Sequence, residues 1–208
     1  QDEIDKKDVR VGDTVIIQRA GDVIPKVVQV ITSKRTGMEK KFRMPSNCPV
    51  CGAEVMREEA THRCIGLDCP AQLKGRIKHF ASKRAMDIEG LGVKLIDQLV
   101  DKELIKDVAD VYDIKKEELI ALERMAEKSG QNIIDAIEGS KTKPLSKFLF
   151  GLGVRHVGEH ISEVLAHRFG RLDDFFHLSE EELMEVEEVG PEVAASVVRF
   201  FRDKRNSE

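Results

Sequence analysis

The spacing of apolar positions changes character along the chain. From Val9 to Ile31 the stretch VRVGDTVIIQRAGDVIPKVVQVI is rich in Val and Ile, and it predicts two strands joined by a turn at Ala20, Gly21 and Asp22. Farther on the period becomes helical and repeats. Four segments align: IEGLGVKLIDQLV from Ile88, LERMAEKSGQNII from Leu122, VRHVGEHISEVLA from Val154 and VEEVGPEVAASVV from Val186. Each reads apolar, two variable positions, apolar, small, then a helical pattern with an apolar pair seven and eight positions past the small residue. Those pairs are Leu99 and Val100, Ile133 and Ile134, Leu165 and Ala166, and Val197 and Val198. The small residues, Gly92, Ala126, Gly158 and Gly190, stand 34, 32 and 32 residues apart, which marks an internal repeat.

A period near 34 also fits tetratricopeptide helices, but those want aromatic and small residues at helix-packing positions, and aromatics make up only 5% of this chain. The recurring feature is instead a glycine-bearing turn. It resembles the helix-hairpin-helix motif, whose signature of apolar, x, Gly, apolar, Gly is met by Ile88, Gly90, Leu91 and Gly92. Glycines there permit left-handed backbone angles and let main-chain N–H groups approach a phosphate without a Cβ in the way. The helix that follows adds the positive end of its dipole. One such turn alone would read as an ordinary helix C-cap; four in register argue for a phosphate-binding set.

The copies differ. Gly90, Gly92 and Lys94 serve the first. In the second, Arg124 and Ala126 replace both glycines, which calls its hairpin geometry into question, while Lys128 still offers a cation. The third keeps Gly158 and brings donors at Arg155 and His156. Glu187, Glu188 and Glu192 flank Gly190 in the fourth and should repel phosphate. The first and third are expected to be the main contacts, made to the sugar-phosphate backbone of duplex DNA with little sequence preference.

All four cysteines lie between residues 47 and 70: Cys48 and Cys51 as C-x2-C, then Cys64 and Cys69 as C-x4-C. A tetrahedral metal site needs four soft ligands converging on a point, and paired cysteines on tight turns supply them. Pro49, Gly52 and Gly66 offer the turn chemistry. A thioredoxin-like redox pair would need a β-α-β context and leave the second pair unexplained. A disulfide staple suits an oxidising compartment, and the opening residues QDEIDKKDVR carry no apolar signal segment. The expectation is structural zinc on Cys48, Cys51, Cys64 and Cys69, with His62 exposed beside it. Metal binding would supply the folding energy of this apolar-poor segment.

Composition adds two limits. With 41% hydrophobic and 35% charged residues, no run approaches a membrane span, so a non-membrane, cytoplasmic protein is expected. The net charge of -4 conceals segregation: Lys74, Arg76, Lys78, Lys83 and Arg84 form a basic run, whereas acidic side chains crowd Asp173 to Glu192.

Residues 1–45 are too short for a closed five-stranded OB barrel and look like its latter part. The string VGDTVIIQRAGDVIPKVV, the cysteine cluster ending in CPAQL, then KRAMDIEGLG and GLGVRHVGE closely resemble, in this order, the NAD-dependent DNA ligases of bacteria. The resemblance implies an OB fold, a zinc finger and a four-copy helix-hairpin-helix domain that, with an adenylation domain of the same protein, encircle nicked double-stranded DNA. It implies that adenylate passes from NAD to a lysine and then to a DNA 5′-phosphate, with magnesium assisting. No K-x-D-G string carrying that lysine occurs here, so the chain is expected to be an inactive fragment, likewise lacking the BRCT domain usual after these parts. From the same resemblance, Arg19 would contact the DNA backbone, while Val23 and Ile24 would press on sugars of the minor groove. Read from the residues alone, Arg19 is a surface hairpin arginine and the other two belong in a barrel core.

The expected fold is therefore multidomain: a partial β (OB-fold) segment at 1–45, a small four-cysteine zinc finger at 46–70, and an all-α domain of four helix-hairpin-helix motifs at 71–208. Hairpins are expected near 88–92, 122–126, 154–158 and 186–190, in a monomer.

Overall fold

The computed structural model describes residues 1–20, 24–66 and 68–206. The chain divides into two compact units, Gln1–Cys69 and Pro70–Glu208.

The first unit is strand-rich and thinly cored. Helix α1 (Asp2–Lys6) precedes strands β1 (Arg10–Val11), β2 (Val15–Ala20), β3 (Ile24–Val30) and β4 (Lys40–Lys41), then β5 (Val55–Glu58) and β6 (Thr61–Cys64). Three antiparallel pairs result: β1 with β4, β2 with β3, and β5 with β6. Val15 faces Val30 and Ala20 faces Ile24, with a register shift between Ile16 and Ile17. An extra residue in one strand breaks the alternation of faces, and Ile16 and Ile17 are both exposed. Among the described apolar residues of this unit, only Val30, Cys48 and Cys69 are buried.

A polar brace compensates. Arg35 donates from Nε to Asp13 Oδ1 at 2.7 Å and from Nη2 to Asp13 Oδ2 at 2.9 Å, while Nη1 reaches Asp8 Oδ2 at 2.7 Å. The Arg10 amide also donates to Asp13 at 2.7 Å. The Asp13 side chain is 1% exposed. The Arg35 guanidinium holds its carboxyl at about 2, against an ordinary 3.8, and the Arg10 amide lowers it further against the opposing effect of burial. Arg35, which the sequence presents as one of several loose cations after the strands, is thus committed to tying the loop after β3 to the turn before β2.

The second unit is helical: α2 (Pro70–Phe80), α3 (Val93–Asp101), α4 (Lys116–Ile120), α5 (Glu127–Ser140), α6 (Leu145–Gly151), α7 (Glu159–Phe169), α8 (Glu180–Met184) and α9 (Pro191–Arg202). Local signals set the ends. Ser179 and Glu182 form a reciprocal capping box at α8, Pro191 stands at the first turn of α9, and Gly170, at φ 73°, stops α7. Each strongly amphipathic helix buries one stripe: Leu95, Ile96, Leu99 and Val100 on α3, and Ala194, Val197, Val198 and Phe201 on α9.

The helices gather into two cores. Leu73, Ile77, Phe80, Leu99, Leu119, Ile133 and Ile137 unite α2 to α5. Leu149, Leu165, Phe175, Leu183, Val197 and Phe201 unite α6 to α9. At about 1.5–3 kcal/mol for each large side chain removed from water, either core outweighs any single surface pair in the unit. Helix α6 joins them, since Phe148 packs on the first core while Leu149 belongs to the second. His79 Nε2 lies 2.7 Å from the Phe150 carbonyl oxygen, and a Cβ on Gly151 would stand 3.1 Å from Phe80. No described helix is long and apolar enough to cross a membrane.

Candidate nucleic-acid interface and metal centre

The four repeats build one turn four times. In each, the amide of the second apolar residue donates back to the carbonyl of the first: Leu91 to Ile88, Met125 to Leu122, Val157 to Val154 and Val189 to Val186, at 3.0–3.3 Å. Between them one residue adopts the left-handed region: Gly90 at φ 89°, Arg124 at 62°, His156 at 64° and Glu188 at 72°. The small residue follows as the helix N-cap in extended backbone, with φ −84° at Gly92, −132° at Ala126, −84° at Gly158 and −86° at Gly190.

This geometry answers two questions that the sequence leaves open. The second copy keeps its hairpin although it lacks both glycines: Leu122 and Met125 pack in the first core, Arg124 between them is left-handed at a cost of about 1–2 kcal/mol, and Ala126 fits extended backbone. The two glycines of the signature also have different reasons to be there. Gly90 is needed by the fold: its φ is positive, and an added Cβ would sit 2.8 Å from Ile133 Cγ1. Gly92, Gly158 and Gly190 are not left-handed, and a Cβ on any of them meets nothing within 4 Å. Their bareness is turned outward, and at Gly92 and Gly158 it leaves room for a ligand to approach the first amides of α3 and α7, which have no acceptor within their own helices.

Donor supply divides the copies. The Ala126 amide is taken by Ser129 Oγ at 2.9 Å in the second. The fourth has Pro191, without an N–H, as the first residue of α9, and Glu188 Oε2 lies 2.7 Å from His160 Nε2. Lys94, Lys128, Arg155, His156 and Gly158 are all exposed. The basic run is smaller than it reads. Lys74 is paired with Asp101 at 2.7 Å and Asp97 at 3.3 Å, and Arg84 with Glu159 at 2.7 Å. Arg76, Lys78 and Lys83 remain exposed.

In the first unit, Arg19 on β2 pairs across to Pro25 and is exposed. Ile24, at the start of β3, is 68% exposed, so it does not fill a core in this unit. Val23 and most of the turn lie outside the described residues.

The cysteines converge. Sγ atoms of Cys48, Cys51, Cys64 and Cys69 all lie within 4.8 Å of one another, with Cys51 and Cys64 at 3.4 Å. A tetrahedral zinc with bonds of about 2.3 Å would set sulfurs about 3.8 Å apart, so the donor set fits that ion by number, softness and spacing. Backbone builds the site. The first knuckle closes through Cys48 N to Ala53 O at 2.7 Å and Gly52 N to Cys48 O at 2.9 Å, with Gly52 at φ 75°. Strands β5 and β6 bring Cys64 to it, and the Gly66 amide donates to Cys64 Sγ at 3.2 Å. Gly66 is there for closeness: a Cβ would meet Ala53 Cβ at 2.8 Å and Cys51 Sγ at 3.0 Å. Amides of Cys51 and Val50 stabilise the Cys48 thiolate and bring its pKa down to about 7. At Cys51 the Ala53 amide acts in the same direction, but crowding by the Cys64, Cys69 and Cys48 sulfurs together with burial wins and pushes it up to about 12. Such crowding is what a dication relieves. His62 departs from expectation, being half-buried on β6 with its Nδ1 buried and unpaired.

Fold and sites together define a strand-rich segment and a four-cysteine finger joined to tandem helix-hairpin-helix motifs. Residues 1–39 match the NAD-dependent DNA ligase OB-fold domain and residues 47–71 the NAD-dependent DNA ligase C4 zinc finger domain. Residues 82–138 match the SAM-like helix-hairpin-helix tandem and residues 147–208 the helix-hairpin-helix motif. A DNA ligase of Syntrophus aciditrophicus is 57% identical over 99% of this chain, and those of Geotalea uraniireducens and Geobacter sulfurreducens are 51% and 50% identical over all of it. The strand-rich segment and the cysteine cluster thus match two domains of NAD-dependent DNA ligases, and the relatives that cover the chain are DNA ligases. The chain spans 31% of the length of each of these relatives.

Proposed function

We propose that this chain is the DNA-clamping, non-catalytic portion of an NAD-dependent DNA ligase, gripping nicked duplex DNA through sequence-independent contacts to its backbone while the nick is sealed in replication and repair. The observation that carries this is the fourfold turn, three copies of which have a capping glycine that faces open space. Bare backbone beside unpaired helix amides suits a phosphate oxygen and offers nothing to tell one base from another. Gly92 and Gly158, with Lys94, Arg155 and His156 near them, are the preferred contacts, and Lys128 supplements the second copy. Gly90 shapes the first turn from behind. Arg19 and Ile24 are exposed where a minor groove could meet β2 and β3, and Val23 is proposed with them on the family resemblance alone.

Zinc on Cys48, Cys51, Cys64 and Cys69 would be structural, since four protein thiolates leave no position for water or substrate. NAD and magnesium belong to the whole enzyme, and their sites are assigned to an adenylation domain outside these residues. A bacterial cytoplasm and a monomeric state suit this reading.

The test is a titration of a fluorescent nicked duplex with the 208-residue chain. Binding with a Kd of roughly micromolar or weaker, falling steeply with salt and indifferent to sequence, is expected, with no adenylate formed from labelled NAD. Affinity that ignores ionic strength, or a covalent adenylate on this chain, refutes it.

A further inference from the structure

Glu159 opens α7, directly after the Gly158 cap of the third hairpin. Its carboxylate is gripped from two sides. Lys147 Nζ, on α6, lies 2.8 Å from Oε1, and Arg84, from the segment after α2, donates through Nε at 3.0 Å and Nη2 at 2.7 Å to Oε2. The guanidinium carbon of Arg84 also stands 5.8 Å from the centroid of Phe150. Lys147 and then Arg84 hold the Glu159 carboxyl below the usual carboxylate range. Residues from ahead of the first and third repeats thereby meet at the third hairpin.

As a brace the cluster is poorly placed. The Arg84 side chain is 73% exposed, and exposed pairs are worth about 0–1 kcal/mol. As a charge device it is well placed. Two cations and one anion leave a net single positive charge beside the hairpin, where a second anion can share the cations. A phosphate oxygen offers Arg84 the same forked geometry as a carboxylate.

We propose that Arg84, Lys147 and Glu159 form a further contact for a nucleic-acid phosphate at the third hairpin, in which the two cations engage the phosphate and Glu159 holds them in position and attenuates their pull. The inference rests on the DNA-clamping reading. It gives Glu159 a purpose that its charge alone would contradict: a clamp that closes on any sequence must also release, and one carboxylate sharing the cations lowers affinity without removing the contact.

The experiment compares the 208-residue chain with its E159Q variant, titrating a nicked duplex between about 0.05 and 0.5 M salt. One additional neutralised phosphate steepens the log–log salt slope by about 0.9, which is about eightfold tighter binding at 0.1 M salt, vanishing toward 1 M. In the E159Q background, R84Q and K147Q should each return about that increment. R84Q alone leaves Glu159 tied by Lys147 and keeps the test open if E159Q unfolds; it should weaken binding and flatten the slope. An E159Q variant that is less thermostable yet binds with the parent's slope overturns the proposal, because the cluster is then only a brace. So does R84Q with unchanged binding. If the parent chain does not bind DNA at all, the clamping reading fails and this inference with it; if the parent binds and the variants do not differ from it, only this inference fails.

Discussion

On the DNA-clamping proposal, the two glycines of the first hairpin separate folding from binding. At Gly90 an alanine would have to hold φ near 89° and place its Cβ 2.8 Å from Ile133 Cγ1. A left-handed L-residue costs about 1–2 kcal/mol, and forcing an extra carbon into a packed core costs about 1–3 kcal/mol. Because Ile133 is 3% exposed, the second helix of the tandem has little room to retreat. Gly90→Ala should therefore destabilise the helical unit by about 2–5 kcal/mol, lowering Tm by roughly 5–20 °C. At Gly92 the backbone is extended and a Cβ meets nothing within 4 Å. Alanine there loses about 0.5–1 kcal/mol as an N-cap but gains about 0.4–1 kcal/mol by restricting the unfolded chain. The two nearly cancel, and Ala126 already occupies the same position of the second copy with its helix intact. Gly92→Ala should keep Tm within about 2–3 °C of the parent while weakening duplex binding up to about eightfold at 0.1 M salt through the loss of one phosphate contact. Thermal unfolding by circular dichroism and anisotropy titrations at several salt concentrations read both quantities. If Gly92→Ala is as unstable as Gly90→Ala, or binds with the parent's affinity and slope, the two glycines do not divide the labour in this way.

Two further outcomes concern the first unit. Elemental analysis should find one zinc per chain; chelation, or Cys64→Ser, should expose the 47–69 segment to proteolysis while the helical signal of residues 70–208 persists, since both helical cores lie outside the finger. The Asp13 carboxyl has a folded pKa of about 2 against an ordinary 3.8, so its contribution is complete above about pH 3.8 and is lost as pH falls through about 2. Asp13→Asn should flatten that acid dependence and release Arg35, which amide-exchange protection of the segment between residues 8 and 35 would reveal.

Much of this molecule can be read along the chain. Repeat spacing and the apolar pairs that follow each small residue are set by helix periodicity, so the hairpins fall where the pattern puts them, and Leu99, Ile133, Leu165 and Val197 are all buried. Four cysteines in two close pairs point to one metal for a similar reason: short loops restrict where the sulfurs can go. Contacts between distant segments leave no such trace. Arg35 reads as a free cation until the fold brings it to Asp8 and Asp13, and Arg84 as part of a basic run until α7 delivers Glu159. Gly66 looks like a turn residue, yet its reason is the nearness of Ala53 and the Cys51 sulfur, thirteen and fifteen positions back.

The sequence by itself determined the periods, the turns and the ligand set, because these depend on neighbours within a few residues or on residue chemistry alone. Only the tertiary structure decided that the four repeats close two cores rather than one, that Arg124 is held left-handed without a glycine, and which charges are already spent on partners. Those outcomes depend on packing energy and on through-space distance, and a linear order of residues specifies neither until the chain has folded.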